Sequence, residues 1–209
     1  AVAAGLFGLG RGERFGALSG LRQRFFGEHA VAAERARAAA DEKDQGLSAD
    51  EKDEIARIIG SGAVKYAELS QNRLTDYKFS WDKMLSLQGN TAPYLQNAYV
   101  RIRSIFRKAG ETPDPATPIL ITAPAERALA LKILQYAETL PVVLDDFRPN
   151  ILANYLYELA NTYHSFYEAC PVLKAEPALR ASRLILSNLA ARTLSHGLAL
   201  LGIACPERM

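Results

Sequence analysis

Tyr94, Asn97 and Arg101 recur at i, i+3 and i+7, a spacing that puts three side chains on one helix face over two turns. A phenol ring, an amide and a guanidinium side by side can stack on an unpaired base and hydrogen-bond its edge. Proteins commonly read single-stranded RNA loops in this way. From Lys83 to Ala109 the chain carries five basic side chains, Lys83, Arg101, Arg103, Arg107 and Lys108, and no acidic one. Such a local excess suits contacts with phosphates. An ordinary amphipathic helix with a solvated basic face has the same composition, so composition alone does not choose between the two.

Other chemistries find less support. His29, His164 and His196 have no partner at metal-ligand spacing, and His164 and Cys170, six residues apart, fall on different helix faces. Cys170 and Cys205 are too few and too isolated for a disulfide framework or a metal pair, and read as buried thiols. Asp145 and Asp146 are adjacent and read as a helix end or a solvated turn. No acid–base pair emerges, so the residues name no catalytic group and no metal ligand. The glycines of GLFGLGRG have neither the Gly-Lys-Ser/Thr nor the preceding strand of a phosphate cradle.

The elements that must hold the basic helix are themselves helical. Ala and Leu abound and β-branched runs are scarce, which favours helix. The 209 residues, 49% hydrophobic and 23% charged, are enough for one large domain or two small ones around a real core. Residues 1 to 30 read as a loose leader whose arginines, from Arg11 to Arg24, are solvated. AVAAERARAAADEK then predicts a helix ending before Gly46. Ser48 and Glu51 have the spacing of a capping box that opens a helix to about Ile59, with a second from Ser61 to Leu69. QNRLTDYKFSW reads as extended or loop.

Pro93 suits a first helical turn with Asn90 or Thr91 as cap, and Leu95, Ala98, Ile102, Ile105 and Ala109 mark its buried stripe. GETPDPATP cannot continue that helix. Pro124, Pro149 and Pro177 each open another, over about 124–140, 149–169 and 177–201, with Gly202 as a stop. Leu152, Leu156, Leu159, Tyr163, Phe166 and Cys170 line one side of the 149–169 helix. The expectation is all-α: an antiparallel helical bundle with short connections, preceded by a short helical connecting region. The net charge of +2 names no polyanion by itself, and no apolar run approaches the roughly 20 residues of a membrane span. The opening AVAAGLFGLG lacks a signal peptide's positive n-region, so the chain reads as cytoplasmic, with no membrane partner.

The stretch YAELSQNRLTDYKFSWDKMLSLQGNTAPYLQNAYVRIRSIFRKAG resembles the signature of arginyl-tRNA synthetases, class I aminoacyl-tRNA synthetases, where the catalytic half meets the helical DALR anticodon-binding domain. ILANYLYELANTYHSFYEACPVL resembles that domain's central helix, and LLGIACPERM its C-terminus. The likeness covers about Ala33 to Met209. It implies a connecting region at 33–90, resembling the end of the synthetase catalytic half, and a DALR bundle at 91–209, and leaves 1–32 as an unmatched Gly/Arg-rich leader. It further implies a tRNA-binding module in which Tyr94, Arg101, Tyr167 and Met209 approach the anticodon bases of arginine tRNA; the helix-face spacing adds Asn97 to these tRNA-binding candidates, and the local basic excess gives Lys83, Arg103, Arg107 and Lys108 as candidate phosphate contacts.

Family members usually carry tyrosine where PYLQN has Asn97, so one stacking surface is missing here. KMLS, Lys83 to Ser86, looks like the lysine loop with which the family holds ATP, but it directly precedes the anticodon helix and has no His-Ile-Gly-His partner. The implied role is to contribute to arginyl-tRNA aminoacylation without carrying the catalytic site. The chain alone should be inactive and hold no cofactor; ATP and Mg belong to the full-length family. Its partners would be arginine tRNA and a catalytic half in cis or in trans, with no DNA, and the chain itself a monomer. The alternative is a free-standing paralogue or gene remnant acting as a helical scaffold.

Overall fold

The computed structural model describes residues 27–38, 46–72, 80–110 and 114–209. The arginines between Arg11 and Arg24, most of QNRLTDYKFSW and residues 111–113 of the proline-rich linker lie outside them. The described residues are helical without strand: α1 (27–38), α2 (Ala49–Leu69), α3 (Trp81–Met84), α4 (Ala92–Ala109), α5 (Pro124–Asp146), α6 (Pro149–Ala169) and α7 (Pro177–Leu200). The all-α expectation holds.

The local signals act as their chemistry requires. Ser48 Oγ accepts from the Glu51 amide while Glu51 Oε2 accepts from the Ser48 amide, so both halves of the capping box form. Of the two candidate caps before Pro93, Thr91 is the one used: its hydroxyl accepts from the Tyr94 amide and donates to the Ser86 carbonyl. Asn90 instead meets the buried Tyr66 hydroxyl, which donates to the Ala153 carbonyl and so ties α2 to α6. Gly110, at φ 68°, closes α4 in the left-handed conformation that glycine adopts without strain.

Two helix boundaries differ from the sequence reading. Ala49–Leu69 form one continuous helix capped by Ser48, not two divided at Gly60. Gly60 serves packing instead: a Cβ there would stand 2.4 Å from the Ala33 backbone nitrogen, so α1 crosses α2 where no side chain intervenes. Helix α5 runs on to Asp146, through Pro141, instead of ending near residue 140. Pro141 removes the amide that Ala137 would otherwise bond, but Ala137 is exposed, so water can take that carbonyl.

Helix α6 is the centre of the bundle, packed against α5, α7 and α4. Its stripe of Leu152, Leu156, Leu159, Tyr163, Phe166 and Cys170 is buried throughout, as the periodicity required. Each such large apolar side chain contributes roughly 1.5–3 kcal/mol on burial. Gly197 of α7 lets Leu156 fill the space its Cβ would occupy. The α4 stripe buries Leu95, Ile102 and Ile105 in the same core.

Candidate nucleic-acid interface

The groove that matters lies between α4, the end of α6, the loop after it and the last residues of the chain. It encloses about 790 Å³ and is lined by Asn97, Arg101, Ser104, Arg107 and Lys108 of α4, by Tyr167 and residues 171–174, and by Arg208 and Met209. Five of its side chains are cations, Arg101, Arg107, Lys108, Lys174 and Arg208, and none is acidic. Pro171, Val172 and Leu173 give it an apolar floor.

Helix α4 supplies one wall because its buried stripe turns the basic face outward. Arg101 lies over the ring of Tyr167, its guanidinium carbon 5.6 Å from the ring centroid. It donates to His164 Nδ1 at 2.8 Å. Tyr167 is 40% exposed and stacks on the buried Tyr163, centroids 6.5 Å apart and planes 26° from parallel. A cation above an exposed aromatic ring is a stacking platform on which a base can be added. The amide of Asn97, beside it, has no hydrogen-bond partner among the described residues.

The opposite wall depends on where the chain's last residues are held. After α7, Gly202 turns at φ 69° and the tail runs back along α4. Lys65 Nζ donates to the Gly202 carbonyl, and the buried Gln96 donates to that of Ala204 at 2.8 Å. Farther along, the Glu207 carboxylate accepts from Arg103 Nε at 3.0 Å and from the Tyr99 hydroxyl at 3.1 Å, while Arg107 donates to the Glu207 carbonyl. Burial pushes the Glu207 carboxyl up, but the bonds from Arg103 and Tyr99 outweigh it and leave the group below its ordinary value. These contacts carry Arg208 and Met209 to the rim, where Met209 also packs beside Ala36, Ala56 and Ile59.

Four of the five candidate base-reading residues, Asn97, Arg101, Tyr167 and Met209, therefore line one groove. Tyr94 shares the helix face but sits outside the lining. Its ring meets Tyr157 edge-on at 5.7 Å and its hydroxyl donates to Asn161 at 2.7 Å. Among the candidate phosphate contacts, Arg107 and Lys108 reach the groove, whereas Arg103 is paired with Glu207. Lys174 and Arg208 were not singled out in the sequence. Lys174 follows an apolar turn and Arg208 an acidic neighbour, so neither belongs to a basic run.

Lys83 lies elsewhere. In KMLS, Met84 is buried with Ala32, Ala63 and Val64, while Lys83 borders a separate cavity of about 510 Å³ between α2, α3 and the turn into α4. Among the described lining residues Lys83 is the one cation and Asp82 the one acid, so their charges cancel. The thiols fit no nucleophilic role: both are free, burial pushes Cys205 up to about 12, and burial raises Cys170 as well. Among the described residues no group of three or more His, Cys, Asp or Glu could hold a metal ion, and no helix is long and apolar enough to cross a membrane.

Comparison with known proteins gives a consistent picture. Residues 95–209 match the family model described as DALR anticodon binding domain, and residues 22–81 match that described as tRNA synthetases class I (R), catalytic domain. The chain is 56% identical over 173 residues to an arginine–tRNA ligase of Pseudoalteromonas translucida, a match covering 80% of this chain and 30% of the relative. It is 51% identical over 181 residues to that of Cellvibrio japonicus, covering 85% and 31%. In structure it is similar to the arginyl-tRNA synthetase of Thermus thermophilus, with TM-score 0.78 and 37% identity over 87% of this chain and 31% of that one. The Plasmodium falciparum enzyme gives TM-score 0.79 and 31% identity over 87% and 33%. The chain thus spans about 30% of the length of the curated relatives it matches.

Proposed function

The chain belongs to the DALR anticodon-binding domain family of the arginine–tRNA ligases, and from that premise we propose that it grips the anticodon loop of an arginine tRNA in the groove between α4, α6 and the tail. The observation that carries this reading is a concave surface with five cations and no acidic side chain around the half-buried Arg101 lying over the exposed Tyr167 ring. An anticodon loop presents splayed bases on a curved phosphate backbone. Bases that leave their stack can add to the Tyr167 platform and hydrogen-bond to Arg101 and Asn97, and Arg107, Lys108, Lys174 and Arg208 face the phosphates. Met209 closes the far side with an apolar, adaptable side chain.

The contribution to catalysis is positional. Holding the anticodon loop of the right tRNA raises the effective concentration of its 3′ end at a catalytic half supplied in cis or in trans. No step is assigned to ATP, Mg or any residue of this chain in the activation of arginine. An ATP–pyrophosphate exchange assay on the 209-residue chain is expected to be blank.

The test is a fluorescence-anisotropy titration of a labelled arginine tRNA anticodon stem–loop against stem–loops with substituted anticodons. The cognate hairpin should bind more tightly. The affinity should fall with salt at about 0.7 log units per tenfold salt for each phosphate neutralised. Equal affinity for every hairpin would sink the specificity claim and leave the bundle as a scaffold.

A further inference from the structure

We propose that His164 is the positioning residue for Arg101: it holds the guanidinium over Tyr167 through an unprotonated Nδ1, and Glu168 fixes the ring in that tautomer. The proposal deepens the reading of the groove as an RNA-binding surface and rests on it.

A guanidinium has five N–H donors and no acceptor, so at 2.8 Å from Arg101 Nη1 the His164 Nδ1 must be the acceptor and carry the lone pair. The ring proton is then on Nε2. That nitrogen lies 3.1 Å from Glu168 Oε1, one helical turn on in α6, and the carboxylate accepts from it. The two contacts demand the same tautomer. The His164–Glu168 contact is accordingly a hydrogen bond from a neutral imidazole, not an ion pair.

A neutral partner has a consequence for the groove. Arg103 and Arg107 spend donors on Glu207, and Arg103 is paired with its carboxylate. Arg101 makes no hydrogen bond among the described residues except that to His164, which occupies one N–H and leaves its charge unneutralised. Its remaining donors stay available for a base edge or a phosphate, while its rotamer is set before RNA arrives. The other charged or titratable groups nearby do not compete for this role. Tyr94 of α4 is bonded to Asn161, Tyr167 lies beneath the guanidinium, and Lys108, Lys174 and Arg208 on the groove lining are cations. An arginine held by a carboxylate would be equally ordered but electrostatically spent.

The test uses the 209-residue chain, the labelled arginine anticodon hairpin and four variants: His164→Ala, His164→Asn, Arg101→Ala and the His164→Ala/Arg101→Ala double. Asparagine places an amide oxygen near the position of Nδ1 and does not titrate. His164→Ala should weaken hairpin binding by about fivefold, and should cause no further loss once Arg101 is gone, because the two act as a unit. His164→Asn should restore binding to near the wild-type value. Imidazole nitrogen NMR on the free chain should show the Nε2–H tautomer for His164. Additive losses in the double variant, or an asparagine variant as weak as alanine, would overturn the positioning role; so would an Nδ1–H tautomer. Absence of hairpin binding by the wild-type chain would instead overturn the RNA reading itself, whatever tautomer the ring shows.

Discussion

Arg101 is where the chemistry of the groove concentrates, because it combines an uncompensated charge, a stacking face on Tyr167 and unused donors. If it reads a base edge, Arg101→Ala should cost about 1–3 kcal/mol of cognate binding and narrow the gap to substituted hairpins. The same titration measures both, and an unchanged affinity would remove Arg101 from the site. Asn97 offers the converse experiment. Its amide borders the groove without a hydrogen-bond partner among the described residues. Asn97→Tyr should tighten hairpin binding, by up to about 1–3 kcal/mol if a base stacks on the new ring. No gain would mean that no base reaches that position. Asn97 and Arg101 were legible in the sequence because helical periodicity fixes which residues share a face. His164 was not. A histidine's part in a site depends on which groups meet its two nitrogens, and both the 63-residue separation from Arg101 and the tautomer are tertiary facts.

At the scale of elements, the bundle is joined at one point by a buried ion pair. Glu126, fully buried in the first turn of α5, accepts from Arg183 Nε of α7 at 2.7 Å and from the amides of Thr122 and Ala123. Arg183 also donates to the Pro171 carbonyl, so the pair fixes the loop that carries Lys174. Burial pushes the Glu126 carboxyl up, yet the bonds from Arg183, Thr122 and Ala123 prevail and lower it below its ordinary 4.5. Its folded-state value being depressed, its stabilisation is fully present above about pH 4.5 and is lost as pH falls through the folded-state value. Glu126→Gln should destabilise the chain by about 3–5 kcal/mol at neutral pH, since it leaves Arg183 buried without its counter-charge. Denaturant melts at pH 7 and pH 4 should show the difference shrinking in acid; a constant difference would refute the linkage.

Gly60 makes a second prediction at this scale. A methyl group there meets the α1 backbone at 2.4 Å, so Gly60→Ala should loosen α1 from α2 despite alanine's better helix propensity. Faster hydrogen exchange over residues 27–38 would register it. The glycine looked like a helix break in the sequence because propensity is local, whereas its use is a contact with a distant segment. Pro141 misled in the same way: its missing bond falls on the carbonyl of the exposed Ala137, which solvent can reach.

Over the whole molecule, the groove's far wall, Arg208 and Met209, is supplied by the docked tail. Glu207 is the clasp, held by Tyr99 and Arg103 through its side chain and by Arg107 through its backbone. Glu207→Ala should release Arg208 and Met209, weaken hairpin binding several-fold and leave helicity by circular dichroism unchanged. Loss of helicity in parallel would show the tail to be part of the core instead. The amino-acid sequence by itself determined the all-α class, the helix starts at their prolines and caps, the buried stripes of α4 and α6, and the basic face of α4. All of these follow from interactions within a few residues along the chain. Only the tertiary structure decided that Tyr167, Lys174, Arg208 and Met209 would meet Asn97 and Arg101 across one groove, that Arg103 would be paired with Glu207, and that Lys83 would lie apart. The physical reason is that each of these outcomes depends on which helix faces pack and where a tail is pinned. Those choices are made by the core as a whole and leave no periodic trace in the segments they join.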